Sequence, residues 1–514
     1  MNRKLLLTGL SLAAMSLSAS PAQGGEATAN ADPLASIIRE QNPYHPGETL
    51  AIHKNLPTDC WPQLANTPQR TNYTPMKFAP PQGRKKWSVC LTDLDIDNRV
   101  NATVQPIIAA GRVYVGCKNG KLFALDAKSG EVRWTFQAGG PICHTAGYAK
   151  GRVMLAALDG CVYAVSAATG QQEWVFSNRS DARRRHGFST AVLLAGDRLF
   201  AVDRGGRLFA LGLADGKEIW YYDAGAPVDQ SPAYDDGKVF FASEDMRVHA
   251  VRAADGTPLW RSKRLAGLSF RWFHPVVAGG MVIVRSQANP GITDNTDPAQ
   301  RSLFALDEET GKESVVLKQR SQGHDGTQPP PAVTRDGLLI VQWCIPVRKE
   351  LSKSFSWVLE DPVFWVLEDP KTQEIVMPLL ETEKRPPHRH IGQYSRPWHA
   401  GLWTPNENSI VSVIGEMVMT AHPVGLYSGG RRPLGGAFEL ATRRWYVDLN
   451  GALPDGDGQG PGGWVSYGAD GNESGGSDAM SAAYGLLYHH AKRCHVITCY
   501  EPMQSPAAEK NEKP

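Results

Sequence analysis

From residue 111 onward, short apolar runs and polar turns follow one another in a fixed phrase. Four segments share it: "GRVYVGCKNGKLFALDAKSGEVRW" (111–134), "GRVMLAALDGCVYAVSAATGQQEW" (151–174), "GDRLFAVDRGGRLFALGLADGKEIW" (196–220) and "GKVFFASEDMRVHAVRAADGTPLW" (237–260). Each holds an alternating apolar run, a glycine-containing turn, a second run, a turn of form xxGxx and a segment ending in tryptophan. A fifth, weaker copy runs from Gly280 to "SLFALDEETGKESV", with an insertion between its parts and valine where tryptophan stood. Self-similarity at about 40 to 50 residues marks solenoids, propellers and arrays. Short strands punctuated by glycine, with almost no helical period, predict all-β blades. One blade cannot bury both of its faces, so blades must stack, and a closed ring leaves only short protected edges. The expected fold is therefore all-β, a β-propeller of four-stranded antiparallel blades.

Trp134, Trp174, Trp220 and Trp260 then have a structural task, filling the gap between adjacent blades. Truncating such a side chain costs about 3 to 5 kcal/mol. Gly130, Gly170, Gly216 and Gly256 permit a positive-φ turn just before the outer strand. Further blades are expected at 330–376, 398–446 and 480–500. The last lacks its tryptophan strand, which "KKWSVCL" (85–91), with Trp87, supplies from the other end of the chain. Eight blades result, the last closed by the N-terminal strand; seven is the alternative, because 376–480 is hard to parse.

Composition adds limits. Lys+Arg 54 against Asp+Glu 52 gives a formal charge of +2, so no global field would collect nucleic acid. "MNRKLLLTGLSLAAMSLSASPAQ" joins a basic start to an apolar run and then small residues, the pattern of a cleaved signal peptide over 1–22. The apolar run is too short to span a membrane, and no later segment is a transmembrane candidate. A linker and strap at 23–84, a propeller at 85–502 and a disordered tail at 503–514 complete the expected organisation, in a periplasmic or secreted protein. Export makes disulfides the leading reading of the eight cysteines.

This repeat resembles the pyrroloquinoline-quinone (PQQ) repeat family of exported bacterial β-propellers, strongly over 105–262 and weakly after 315. The lead-in "CWPQLANTPQRTNYTP" (60–75) is similar to the strap that often precedes such propellers. Ala124, Asp126, Gly130 and Trp134 match the docking phrase A-x-D-x-x-T-G-x-x-x-W of the family's dehydrogenases, a match that concerns architecture rather than cofactor.

Strand order places the loops leading into each inner strand, and the turns between second and third strands, on one face. Function in propellers gathers there. Five of the eight loops contain histidine: "CHTAGY", "RRRHGF", "RWFHPV", "HDGTQP" and "RPWHAG". Solvated loop residues are one reading. A second is a mixed cationic and aromatic ligand-binding pocket built from Arg185, His186, Asp229, Arg271, Trp272, His274, Trp398 and His399, suited to an anionic or planar small ligand or a protein segment. A third is a metal held on the axis by His144, His186, His274, His324 or His399. Six cysteines fall beside the same loops, and Cys117 with Cys161 is a plausible disulfide across neighbouring turns. "PICH" and "KRCH" lack the first cysteine of C-x-x-C-H, which disfavours covalent haem. The Asp- and Gly-rich stretches at 454–463 and 468–478 only hint at calcium and read as a mobile insertion.

The resemblance implies two functional classes. The family's dehydrogenases hold PQQ between a tryptophan and a disulfide of adjacent cysteines, with an aspartate base and calcium. No adjacent cysteine pair exists in this chain. Other members are exported scaffolds whose face binds protein segments. The expectation is a scaffold binding a ligand or protein through its loop face; the alternative is a divergent PQQ-dependent quinoprotein oxidoreductase, and the third reading a metal-dependent enzyme with histidine ligands. No cofactor is certain: PQQ and a metal ion both stay open, and the catalytic residues are unknown.

Overall fold

In the computed structural model the described residues are 47–78, 83–101, 103–178, 186–271, 273–287, 301–315, 330–344, 363–368, 375–378, 411–424, 432–441, 444–447, 479–491 and 495–502. Helix among them is confined to short pieces, a 3-10 turn at Ala51–His53, one α-turn at Leu91–Leu94 and a 3-10 residue at Asn178. The strands form seven four-stranded antiparallel blades and one five-stranded sheet.

The first blade shows how the repeat folds. Its strands are Ile107–Ala109, Arg112–Gly116, Lys121–Asp126 and Val132–Gln137, from the axis outward. Val113–Gly116 and Leu122–Leu125 are buried throughout, because neighbouring blades cover both faces of the middle strands. That is why these strands read as unbroken apolar runs. Val132–Gln137 is the edge strand and alternates exposed with half-buried positions. The second blade (Gly147–Ser177), third (Leu193–Asp223), fourth (Ala233–Arg261), fifth (Val276–Val315) and sixth (Ala332–Pro378) follow in chain order.

A repeated docking contact joins them. In the first blade Ala124 opposes Trp134 while Leu125 opposes Val132, so Arg133 is an extra, bulged residue that turns the indole toward the next blade. Trp134 Nε1 donates to Ala167 O at 3.1 Å, and Trp174, Trp220 and Trp260 donate likewise to Leu213, Ala253 and Glu308. Each ring lies flat on the next blade's glycine. At Gly170, with φ +74°, an added Cβ would stand 2.6 Å from Trp134 Cε3. The glycine is thus required both by its left-handed backbone and by the indole above it. In the fifth copy, where valine replaces tryptophan, Val315 pairs with Ala305 in the outer-strand register.

Ring closure follows the expected route. Gly83–Cys90 pairs antiparallel with Val496–Pro502 as the outer strand of the closing blade, whose inner strands are Ala479–Ala483 and Leu486–Ala491. Trp87 Nε1 donates to Ala127 O at 3.1 Å, as does the Tyr488 hydroxyl, so head and tail grip the same carbonyl of the first blade.

The five-stranded sheet departs from expectation. To Ser412–Ile414, Met417–Val424, Arg432–Glu439 and Arg444–Val447 it adds Tyr73–Thr74 in parallel, on the axial side. Those two residues end a strap that winds once around the axis and meets every sheet. Tyr484 N donates to Thr58 O, Ile108 N to Trp61 O, Tyr148 N to Pro62 O and Leu194 N to Gln63 Oε1. Tyr234 N then donates to Pro68 O, Val277 N to Gln69 O, Val333 N to Thr71 O and Val413 N to Asn72 O. The inner strands' axial edges, which an open channel would leave to water, are capped by one peptide.

The disulfide expected between Cys117 and Cys161 is not formed: both are free thiols, as are Cys60, Cys143 and Cys499. The physical reason lies in the faces of the first blade. Cys117 packs in the core toward the closing blade, whereas Cys161 packs against the core between first and second blades.

Candidate functional site

The loops into the inner strands and the turns between second and third strands do share a face. Backbone bonds tie them in pairs: Lys118 N to Arg99 O at 2.7 Å, Leu158 N to Pro141 O at 2.9 Å, Arg204 N to Gly187 O at 3.0 Å and Glu244 N to Pro227 O at 2.8 Å. The strap runs along the inner strands into which these loops lead.

Across the third, fourth and fifth blades the loop face carries a charged cluster centred on Asp229. Its carboxylate is 16% exposed and accepts from the Ser189 hydroxyl at 2.9 Å. Arg204 Nε lies 3.4 Å from one carboxylate oxygen and Arg271 Nε 4.0 Å from the other. Both guanidinium groups remain more than half exposed, at 54% and 52%. Glu244 sits beside them, accepting from Phe270 N at 3.2 Å; burial pushes its carboxyl above the usual range, against the pull of Ser269 and the Phe270 N–H. The cluster therefore brings two guanidinium groups to one shared carboxylate.

Nearer the axis the environment is buried and differs in kind. Arg70 of the strap is fully buried and donates to Pro232 O, Leu64 O and Val192 O at 2.8–3.1 Å, and to Gln63 Oε1 at 3.5 Å. Burial alone pulls its basicity down to about 9. His144 and His274 enter from the loops of the second and fifth blades, and both are buried. Desolvation, reinforced by the charge of Arg70, holds His144 at about 3 and His274 well below the ordinary imidazole value.

Of the residues expected in a pocket, Asp229 and Arg271 come together, and Arg204, Ser189 and Glu244 join them without having been foreseen. His186 is exposed on the same face, but its ring packs on Gly205 and its carbonyl accepts from Asn178. His274 belongs to the axial group with His144. Arg185, Trp272, His324, Trp398 and His399 lie outside the described residues. Arg204 sits in the second-to-third-strand turn "DRGG", aligned with "CKNG" and "ALDG", so the repeat alone placed it on this face.

Neither candidate cofactor finds a matching donor set among the described residues. No three of His, Cys, Asp or Glu converge there, and the imidazoles that do approach one another share their surroundings with a guanidinium, which repels a metal cation. No two cysteines are adjacent in the sequence, so no vicinal disulfide is available to cover a quinone. Among the same residues no helix is long and apolar enough to cross a membrane.

Comparison with known proteins gives a consistent picture. The family model described as "Outer membrane protein assembly factor BamB" matches residues 76–228, 179–271 and 213–343, together just over half of the chain. An outer membrane protein assembly factor BamB from Alkalilimnicola ehrlichii is 28% identical over 182 residues, which cover 35% of this chain. The match spans 37% of that relative's own length. Among solved structures, the quinohemoprotein alcohol dehydrogenase of Comamonas testosteroni superposes with a TM-score of 0.55 at 12% identity, covering 88% of this chain and 82% of that one. A quinohemoprotein alcohol dehydrogenase from Pseudomonas putida HK5 gives 0.50 at 14% identity, with the same coverage. At such identities the likeness shows the fold alone.

Proposed function

Because the chain belongs to the PQQ-repeat β-propeller family described as outer membrane protein assembly factor BamB, we propose that it is an exported scaffold which binds a protein segment through its loop face. The observation that carries this reading is the Arg204–Asp229–Arg271 cluster, spread over consecutive blades in front of a channel closed by the strap. Guanidinium groups pair with carboxylates and bond main-chain carbonyls. Ion pairing to Asp229 at 3.4 and 4.0 Å draws both arginines to one region of the face, which lessens the side-chain freedom lost when a partner docks. Charge-assisted bonds of this kind contribute about 1.5 to 3 kcal/mol each. The family description supports a place in outer-membrane protein assembly, hence a periplasmic location at the outer membrane, and a protein rather than a small molecule as the partner.

The test is photo-crosslinking in the native host from a reactive residue at position 268, an exposed position in the loop that carries Arg271, compared with one at position 150 on the opposite face. A discrete protein adduct from 268, lost in the Arg204→Ala background and absent from 150, supports the reading. Adducts from 150 alone would overturn it. The quinoprotein alternative rests on fold likeness. It is separated by assaying the purified chain with PQQ and Ca²⁺ for oxidation of alcohols or sugars with an artificial electron acceptor; turnover there would replace the scaffold reading.

A further inference from the structure

The buried group on the axis is distinct from the surface cluster and does a different kind of chemistry. Arg70 carries a full positive charge with no exposed surface, yet every hydrogen-bond acceptor it meets among the described residues is a neutral oxygen: three backbone carbonyls and the Gln63 amide. No carboxylate among those residues forms an ion pair with it. An uncompensated interior charge is costly, and proteins relieve it with a counter-charge.

His144 enters the same buried region: the hydroxyl of Thr145 beside it accepts from Gln105 N, and the Gln105 side chain accepts from Ala65 N, next to the Leu64 carbonyl that Arg70 holds. His144 Nδ1 accepts the Thr145 N–H at 2.9 Å, so the ring proton resides on Nε2. That Nε2–H is buried and has no hydrogen-bond partner among the described residues. His274 reaches the same region from the fifth blade and is 3% exposed. Both imidazoles are neutral at physiological pH, because burial and the charge of Arg70 hold their basicity down. A metal ion does not suit this group, since two imidazoles beside a guanidinium would hold a cation against repulsion.

We propose that the axis of the propeller binds a small monovalent anion, of the halide or simple carboxylate class, with Arg70 as its counter-charge and His144 Nε2–H as a direct donor. One uncompensated positive charge calls for one negative charge. The anion ties the strap to the second blade, so its binding raises the stability of the ring by mass action.

The purified full chain is titrated with chloride, bromide, acetate or sulfate at constant ionic strength while thermal unfolding is followed. A saturable rise in Tm with halide or acetate, and not with sulfate, is expected; whichever of the two acts at lower concentration identifies the preferred source. His144→Ala should weaken that dependence at least tenfold. Crystals of the unsubstituted chain grown in bromide should show an anomalous peak in contact with His144 Nε2, a result independent of whether the variant folds. Bromide found only at surface sites, or identical titrations for the chain and its His144→Ala variant, would overturn the proposal. So would a carboxylate of the chain itself lying against Arg70.

Discussion

Substituting Gly170 with alanine, and Gly151 with alanine as its partner experiment, isolates the contact that joins one blade to the next. The two glycines lie in the same blade with nearly equal backbone angles, φ +74° and +78°. Each alanine therefore meets the same left-handed penalty of about 1 to 2 kcal/mol. Around Gly151 nothing lies within 4 Å of an added Cβ, so the cost ends there. At Gly170 the new methyl would fall 2.6 Å from Trp134 Cε3 and 2.7 Å from Cδ2, closer than carbon atoms approach. The indole must shift, which strains the hydrogen bond from Nε1 to Ala167 O, worth about 1 kcal/mol. Overpacking at the blade interface adds about 1 to 3 kcal/mol. Gly170→Ala is thus expected to destabilise by about 3 to 6 kcal/mol against about 1 to 2 for Gly151→Ala. Urea unfolding followed by tryptophan emission and circular dichroism measures both. Equal midpoints for the two variants would refute the claim that the glycine exists to seat the indole.

Trp87→Phe keeps an aromatic ring but loses the donor to Ala127 O, while the Tyr488 hydroxyl still holds that carbonyl. A loss of about 1 kcal/mol in denaturant stability is expected, and an unchanged stability would show that the indole N–H adds nothing to the strand pairing that joins head and tail. Asp255, in the docking turn of the fourth blade, is held at about 2 by the Thr257 hydroxyl and N–H. Its contribution is fully present above the unfolded value near 4 and disappears as pH falls toward 2, so Asp255→Asn should flatten acid unfolding in that window and leave neutral-pH behaviour otherwise parallel. Arg204→Ala and Arg271→Ala should each weaken partner capture at least tenfold while shifting Tm by no more than a degree or two, because both side chains are half in solvent. A large fall in Tm would assign them to the fold instead.

What could be read from the sequence was what is local and repeated. Trp134, Gly130 and their counterparts recur at fixed spacing, so one contact inferred once applied to every copy. Closure by the segment around Trp87 was legible because the last blade lacked its fourth strand. The path of the strap was not: each of its bonds goes to a different sheet, and a chain winding past many partners leaves no periodic trace in its own sequence. Arg70 was invisible for the same reason, since nothing in "TPQRT" says that its acceptors come from residues 192 and 232. Histidine in several loops suggested one shared site, yet His186 stands at the surface while His144 and His274 are buried near the axis. The cysteine pairing failed because neighbouring turns can sit on opposite sides of one blade.

The central claim is that a strap fills the axis and leaves one face open for binding. Residue-resolved amide hydrogen exchange at Tyr148, Val277, Val333 and Val413, which donate to strap carbonyls at 2.7–2.9 Å, addresses it most directly. Exchange as slow as that of the buried middle strands is the result expected. Exchange at the rate of solvent-exposed loops would mean that the axis is open and that the two faces of the ring communicate.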